Sequence, residues 1–266
     1  MSFQLLETTV YRAPLGLQFI DAVTGAAVAD DLVVTAWPAG DPTGTLTPTR
    51  SPISANFGFG MLPGIAYNEA LIASGGALPG SPPGPDRPFE VRVVDPIGRF
   101  LPALLAVTAP QPALVTPTLY SAPTRPAPSG WAKVSGEVWA TSPAAPAAWA
   151  VVEVTAASST YTTLADQLGR YVVYLPYPEA LPPLAGSPPS GGPLDQITWP
   201  ISVTVRFQPS VQNQLPDSTA GDPPELGSLL GQAPASIQTG GGLQSNLAAT
   251  LTFGIQLLLM LQVVPA

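Results

Sequence analysis

The residues of this chain best placed to do chemistry are two aspartates in a repeated phrase. Asp95 begins Asp-Pro-Ile-Gly-Arg-Phe and Asp166 begins Asp-Gln-Leu-Gly-Arg-Tyr, so both stretches read D-x-x-G-R-aromatic. Two carboxylates brought together could act as acid and base or hold a cation. In such a phrase, however, aspartate usually binds the backbone of its own turn, which glycine closes with a positive φ. We therefore interpret Asp95, Gly98, Asp166 and Gly169 as turn residues.

Other catalytic groups are scarce. The chain has no Cys and no His, which excludes disulfides, thiolate nucleophiles, zinc–thiolate sites and Ser-His-Asp triads. Lys133 is the single lysine, so Ser-Lys chemistry has one candidate. The adjacent carboxylates of Asp30 and Asp31 are weak evidence for a cation site, and no phosphate-binding glycine loop opens a helix. We expect a non-enzymatic protein with no cofactor and no metal.

The charge content indicates what the chain contacts. Charged residues make up 10% of the 266 residues, against about 25% in a typical protein. With nine basic residues and a net charge of −8, no basic stripe exists to neutralise phosphates, so nucleic-acid binding is not expected. Either much of the surface is buried against other subunits, in a homo-oligomer within a larger assembly, or the surface is neutral and rich in Ser, Thr, Pro and Gly.

The elements around the two phrases are predicted to be strands. Proline supplies 35 residues, where about 5% is usual, and proline breaks helix interiors. An apolar run precedes each D-x-x-G-R phrase and another follows it, which is the signature of a β-hairpin. The pattern predicts an all-β fold of two tandem β-sandwich units, with Pro-rich loops over 73–88 and 178–193 and a C-terminal strand.

The domain boundaries follow from composition. Three prolines between Ser121 and Pro128 favour an extended, semi-rigid spacer. The predicted division is an N-terminal arm over 1–14, a first sandwich with long insertions over 15–120, a Pro-rich linker over 121–130, a second sandwich over 131–207, an irregular loop or arm over 208–246 and a C-terminal strand over 247–266. The irregular segment either wraps a neighbouring subunit or is flexible.

Several side chains are candidates for contacts with a partner. In the last strand the alternation places four apolar residues on one face, either to extend another chain's sheet or to complete the chain's own core; they are Leu251, Phe253, Ile255 and Leu257. Arg99 and Arg170 either contact a partner carboxylate or lie along the strand surface. Trp131 follows the linker and packs between the units or at an interface.

The cellular location is predicted from what the sequence lacks. Its start has no basic region followed by an apolar core, and no apolar run reaches the roughly 20 residues of a membrane helix. We expect no transmembrane segment. The chain is then cytoplasmic, assembled into a particle that is released without a classical signal peptide.

The second unit resembles a known family. It reads Val134-Ser135-Gly136-Glu137-Val138, then Ala150-Val151-Val152-Glu153-Val154, then the second D-x-x-G-R-Y phrase and Leu175-Pro176. This is similar to the carboxypeptidase regulatory-like domain, a transthyretin-like β-sandwich, over about residues 131–178. Residues 15–107 resemble it more loosely, so the resemblance implies an all-β fold of two tandem transthyretin-like or immunoglobulin-like β-sandwich units. The family is a structural and adhesive module, so the resemblance implies no catalytic residues.

A second resemblance concerns the setting. Phrases such as RPFEVRVVDPIGRFLP and ADQLGRYVVYLPYPE resemble small proteins encoded beside phage-tail-like contractile injection systems. That resemblance implies a structural subunit in the cap or baseplate region, with sheath, tube, cap or baseplate components as partners, bound through β-edges and Pro-rich arms. The alternative is a carbohydrate- or surface-binding fibre or adhesion module, in which exposed tryptophans would line a groove.

Overall fold

The computed structural model describes residues 13–65, 86–178, 196–219 and 221–266, and strands dominate it. The predicted all-β class is confirmed. The N-terminal arm lies outside the described residues apart from its last two positions, and so does nearly all of the loops predicted over 73–88 and 178–193. In the described part of the chain, no helix is long and apolar enough to cross a membrane.

The first unit contains three small sheets around one core. Its strands are β1 Leu15–Leu17, β2 Phe19–Asp21, β3 Ala27–Val28, β4 Val33–Pro38, β5 Thr49–Arg50, β6 Phe57–Phe59, β7 Arg87–Val94, β8 Ala103–Ala109 and β9 Thr118–Leu119. The sheet orders are β1-β6-β5, β3-β2-β9 and β4-β7-β8. Alternate residues of β7 face the core, where Phe89, Val91 and Val93 are at most 1% exposed.

The second unit is a two-sheet sandwich. Its strands are β10 Trp131–Thr141, β11 Ala144–Pro146, β12 Val151–Ala156, β13 Ser159–Leu164, β14 Arg170–Pro176, β15 Thr198–Arg206, β16 Ser236–Thr239, β17 Gly242–Gln244, β18 Leu247–Thr252 and β19 Leu257–Val264. One sheet runs β13-β12-β15-β18. The other, which we call the β10 sheet, runs β10-β19-β16-β17, with β11 and β14 also paired to β10.

The two D-x-x-G-R phrases form the same turn but join different elements. The Gly98 N–H donates to the Asp95 carbonyl at 3.0 Å, and the Gly169 N–H donates to the Asp166 carbonyl at 2.9 Å. The first turn connects the antiparallel pair β7 and β8, as predicted. The second was predicted to close a hairpin and does not, because β13 pairs with β12 while β14 pairs with β10 over seven residues in the opposite sheet. It is a corner between sheets.

The predicted C-terminal strand is two strands. β18 ends at Thr252 and pairs with β15, whereas β19 begins at Leu257 and runs parallel to β10. A turn at Phe253–Gln256 carries the chain from one sheet to the other, and it contains Gly254 at φ 70°. The alternation of the sequence continues through this turn, so periodicity alone could not reveal the break.

The segment predicted to be an irregular arm is ordered against its own chain. We call residues 208–219 and 221–235 the crossing segment. It holds a 3-10 turn at Pro209–Val211 and a short α-helix at Leu226–Leu230, and strands β16 and β17 follow it. Leu226 and Leu229 lie in the core of the first unit, whereas Ala235 lies in the core of the second. Within these residues, its helix and its C-terminal end pack against the two cores of the chain itself.

The parallel pairing of β10 with β19 depends on a glycine. A Cβ atom added at Gly136 would lie 1.7 Å from the Leu259 carbonyl oxygen. We expect Gly136→Ala to separate the two strands and lower the free energy of unfolding by at least about 2 kcal/mol. Urea denaturation of the whole chain measures this. Gly60→Ala is the matched control, since nothing lies within 4 Å of its added Cβ atom; equal stability of the two variants would contradict the prediction.

Candidate interaction surfaces and the junction between the units

Each of the two repeated aspartates accepts hydrogen bonds from the backbone and the arginine of its own turn. Asp95 Oδ2 accepts hydrogen bonds from the Arg99 N–H at 2.7 Å, from Arg99 Nε at 3.0 Å and from the Phe100 N–H at 3.2 Å. Burial raises the pKa of Asp95, but the hydrogen bonds and charge of Arg99 outweigh burial and hold the pKa below its ordinary value. A carboxylate saturated in this way supports the turn and offers no free oxygen to a substrate.

The second phrase repeats this arrangement. Asp166 Oδ1 accepts from the Leu168 and Arg170 N–H groups at 2.8 and 2.9 Å, and Asp166 Oδ2 accepts from Arg170 Nε at 2.8 Å. Arg170 therefore binds its own turn, and so does Arg99, whose guanidinium also donates to the Asp30 carbonyl at 2.7 Å. The two arginines proposed for partner contacts already have partners within the chain.

The four apolar candidates at the C-terminal end do not share one face. Leu251 is fully buried in the core of the second unit. Phe253 stacks on Tyr177 with ring centroids 4.8 Å apart, and Leu257 packs partly against the same core. Ile255 lies in the turn and is 56% exposed. Of the four, Ile255 alone presents a largely exposed side chain, because the break between β18 and β19 separates the others.

The tryptophans do not form a platform. Trp37, Trp149 and Trp199 are at most 8% exposed. Trp131 is half-buried at the first residue of β10, opposite Pro176. Trp139 is 39% exposed, and its indole N–H donates to Glu137 Oε2 at 3.0 Å. A sugar-stacking groove lined by several tryptophans is therefore not present among the described residues.

The predicted linker forms a packed junction. Arg125 donates two hydrogen bonds to Asp21 of the first unit, at 2.8 and 2.7 Å, and its guanidinium lies 4.8 Å from the ring centroid of Phe100. The Tyr174 hydroxyl of the second unit donates to the Arg125 carbonyl. Burial raises the pKa of Asp21, but the Arg125 bonds, with those of Val23 and Thr24, hold it below its ordinary value. Residues 121–130 are thus a joint, which sequence reasoning missed because it read the prolines alone.

Trp149 fixes the second unit to the first. It belongs to the second unit by sequence, but its side chain lies in the core of the first. Its backbone has φ 62°, a left-handed conformation that is rare for a bulky residue. The buried Gln232 side chain holds that backbone, since its Nε2 donates to the Trp149 carbonyl at 2.9 Å. Such strain persists only where the surroundings enforce it.

A buried carboxylate lies beneath the crossing segment. Glu90, on the outward face of β7, is 1% exposed, and neither of its oxygens has a hydrogen-bond partner among the described residues. Burial raises the pKa of Glu90 and the nearby charge of Asp217 raises it further, whereas the nearby Trp37 side chain and Asp217 backbone lower it by less. Asp217 is held in place by the Gly40 N–H, which donates to its Oδ2 at 2.6 Å. No group of three or more potential metal-ligating acids occurs in the described part of the chain.

The β10 sheet carries an exposed apolar strip. Its outward positions on β19 are Leu258 and Met260, which are 66% and 63% exposed. The pairing registers place Leu258 beside Ser135 and Met260 beside Glu137 on the same face. Leu243 of β17, 60% exposed, and Trp139 lie on this face too. We call Trp139, Leu243, Leu258 and Met260 the apolar strip. Sequence reasoning missed it because β19 reads as apolar on both faces.

Comparison with known proteins gives no family. No family model and no curated protein match the chain. Among solved structures, it is similar to a streptococcal ancillary pilin at 11% identity over 95% of this chain and 63% of the pilin, with a TM-score of 0.23. It is also similar to the shaft pilin spaA of Lactobacillus rhamnosus GG at 8% identity, over 95% of this chain and 97% of that one, with a TM-score of 0.24. The chain thus spans less than two thirds of the ancillary pilin, and at such TM-scores these likenesses carry no functional argument.

The junction makes a prediction about stability. Arg125 and Asp21 have side chains only 11% and 5% exposed, so Arg125→Ala leaves a buried carboxylate without its partner. We expect a loss of about 2–4 kcal/mol in the free energy of unfolding, measured by urea denaturation. Arg50→Ala breaks the pair with Asp30, whose side chains are 44% and 79% exposed, and should cost less than about 1 kcal/mol. A similar loss in both variants would contradict the assigned role of the junction.

Glu90 makes a prediction about pH. Because its folded-state pKa lies above the ordinary value of 4.5, its contribution to stability is complete below pH 4.5 and is lost as the pH rises through the raised pKa. Asp21 and Asp95, whose pKa values are lowered, contribute constant stability in that range and lose it only as the pH falls below about 3.8.

Glu90→Gln tests this directly. We expect thermal unfolding of the variant to be flatter between pH 4.5 and pH 8 than that of the wild type, and its melting temperature at pH 7 to be equal or higher. Asp86→Asn, which changes an exposed acid of the same unit, should keep the wild-type profile. An unchanged profile in Glu90→Gln would show that the buried carboxyl is not the titrating group.

Proposed function

We propose that this chain is a non-enzymatic structural subunit that assembles with other protein subunits, and that its setting is a phage-tail-like contractile injection system. The observation that carries the assembly role is the apolar strip. Four large side chains, at least 39% exposed, lie on one face of a rigid sheet, and clustered exposed apolar residues mark interaction sites. The setting rests on the sequence resemblance alone.

Most charged side chains of the described residues bind other groups of the same chain, and this supports a structural role. Among the described residues, six arginines form six ion pairs, which use six of the nine basic side chains in the sequence. The carboxylates of both repeated phrases serve their turns. Most of these groups stabilise turns and strands within one unit, and Arg125 with Asp21 stabilises the junction; a binding or catalytic role would require them to be open to a ligand.

A second candidate is a fibre or adhesion module that binds a surface. The observation that favours it is the exposed indole of Trp139 beside the Glu137 carboxylate, 3.0 Å from indole nitrogen to carboxylate oxygen. An aromatic face next to a hydrogen-bonding acid is suited to stacking on a sugar ring. A single exposed tryptophan offers a smaller surface for sugar stacking than the five tryptophans of the sequence would offer if they lay together.

Sedimentation of particles from cells that produce a tagged chain separates these possibilities. We expect the wild-type chain to sediment with sheath and tube proteins in a fixed ratio measured by mass spectrometry. Met260→Lys, which places a charge on the apolar strip, should remain soluble and lose at least about ten-fold in incorporation. Ile53→Lys is the matched control, since Ile53 is 95% exposed on the other unit.

The outcomes are distinct. A wild-type chain that sediments alone at every density would overturn the assembly role. Recovery in a fibre that lacks sheath and tube proteins would replace the contractile setting with the fibre candidate. Glycan binding that is lost in Trp139→Ala but kept in Ile53→Lys would support the surface-binding module.

A further inference from the structure

The two sides of the second sandwich differ in how their edge strands are covered. On one side lie β13 and β14, and the first unit lies against them: Ala22, Val23 and Ser121, from the first unit and the linker, line a small cavity together with Thr162 and Val172. On the opposite side lie β17 and β18, the edge strands of the two sheets, and β17 is exposed at every residue. Within the described residues, the chain thus covers one side of this sandwich itself and leaves the other side open.

The backbone of β18 carries hydrogen-bonding groups that face this open side. The Phe253 N–H donates to the Ile197 carbonyl of the strand next to it at 3.0 Å, and the pairing register continues this pattern along β18. Since bonded residues alternate with non-bonded ones in an antiparallel pair, the N–H and C=O groups of Ala248, Thr250 and Thr252 point away from β15. Among the described residues, the Thr252 carbonyl accepts one bond from the turn that follows β18, at 3.2 Å, and none reaches the other two residues on this side.

The open edge lacks the features that usually prevent edge-to-edge pairing. Exposed edge strands are commonly protected by lysine, proline or a β-bulge. β18 reads Leu-Ala-Ala-Thr-Leu-Thr, and none of residues 226–266 carries a charged side chain. Because the whole chain has a net charge of −8, two copies repel each other least where they approach through this uncharged region. The charge distribution therefore favours this edge for a contact between copies.

We propose that β18 pairs antiparallel with β18 of a second copy, about a two-fold axis at Thr250. This register places Thr250 opposite Thr250 of the other copy and Ala248 opposite Thr252 of the other copy, and such pairs exchange both of their backbone hydrogen bonds. A two-fold interface brings the same surface of both subunits together, and an antiparallel strand pair is self-complementary in this sense. The inference rests on the proposed assembly role and names one partner for it.

The same register matches the side chains that face the core. Ala249 of one copy lies opposite Leu251 of the other, a small residue against a large one. Leu247 lies opposite Phe253, the residue that follows β18. Leu247, Ala249 and Phe253 pack against the core of the second unit but are only partly buried. Pairing covers their exposed parts and continues the inward face of the sheet into the second copy, which removes apolar surface from water.

This arrangement keeps the two first units apart. The two-fold axis of an antiparallel pair is perpendicular to the sheet, so the second copy extends the sheet sideways. β12 and β13, which place Val151 and Leu164 in the core of the first unit, lie two and three strands from β18, or about 10–14 Å at the usual strand spacing. The first unit of the second copy lies on the far side of the axis. Met260 of the apolar strip stays accessible to a different subunit.

A single introduced cysteine locates the axis, because the chain contains none of its own. Thr250→Cys places the new sulfur opposite its own copy, with the two Cα atoms about 5.5 Å apart, which a disulfide can span. Ala248→Cys is the matched control on the same strand and face, and its two copies would lie more than about 13 Å apart. We expect mild oxidation of the full-length protein to cross-link Thr250→Cys at least about ten-fold faster than Ala248→Cys, measured by non-reducing gel electrophoresis.

Sedimentation equilibrium measures the affinity. We expect wild type and Thr250→Val to form dimers with dissociation constants within about three-fold of each other, because valine keeps the backbone N–H and suits a strand. Thr250→Pro removes that N–H in both copies and should weaken dimerisation at least about ten-fold, although an edge strand tolerates proline. Met260→Lys should dimerise like wild type. Circular dichroism and melting temperature establish that each variant is folded.

Three results would overturn the inference. They are a wild-type chain that stays monomeric at millimolar concentration, a dimer that is as tight in Thr250→Pro as in Thr250→Val, and cross-linking of Ala248→Cys as fast as that of Thr250→Cys. If wild type is monomeric alone and Met260→Lys still fails to enter the particle, self-pairing fails and the assembly role stands. If the dimer behaves as proposed but no particle contains the chain, the assembly role fails and the dimer stands.

Discussion

The bond between Arg125 and Asp21 determines how the two sandwiches sit together. Arg125 uses its guanidinium on the first unit and its carbonyl on the second, where it accepts from Tyr174. A single residue of the connecting segment is therefore fixed at both ends. Because the carboxylate and the guanidinium are both largely buried, separating the units would expose or strand a charged pair, which is costly. This buried ion pair makes the connection between the units stiff. The prolines of residues 121–130 only limit the backbone conformations that the connection can adopt.

The crossing segment, like the junction, fixes the second unit to the first. Gln232 is 2% exposed and uses both ends of its amide: Nε2 donates to the Trp149 carbonyl, and Oε1 accepts from the Gln208 N–H at 3.0 Å. This holds Trp149 in its left-handed conformation, with its ring in the core of the first unit. The second unit and the crossing segment thus contribute side chains to the core of the first unit. A buried amide with all of its bonds made specifies one arrangement.

Local features of this fold could be predicted from the sequence, and distant pairings could not. Strands such as β7 and β10 alternate apolar and polar residues, and the D-x-x-G-R turns are encoded by Asp and Gly within four positions. The strand that pairs with β14 could not be predicted from local sequence, because the same turn can close a hairpin or lead into the facing sheet. Which of these occurs depends on the β10 register over Trp131–Glu137, and that information lies more than thirty residues away.

The apolar strip could not be predicted from the sequence, for a related reason. β19 reads as Leu-Leu-Leu-Met-Leu, so no pattern separates its inward residues from its outward ones. Only its pairing beside β10, through the close approach at Gly136, shows that Leu258 and Met260 point away from the core. The turn phrases attracted attention because they contain charged residues, but those charges are satisfied internally. In the described part of a chain with so few charged residues, the arginine ion pairs stabilise turns and the junction, and the apolar strip is left exposed.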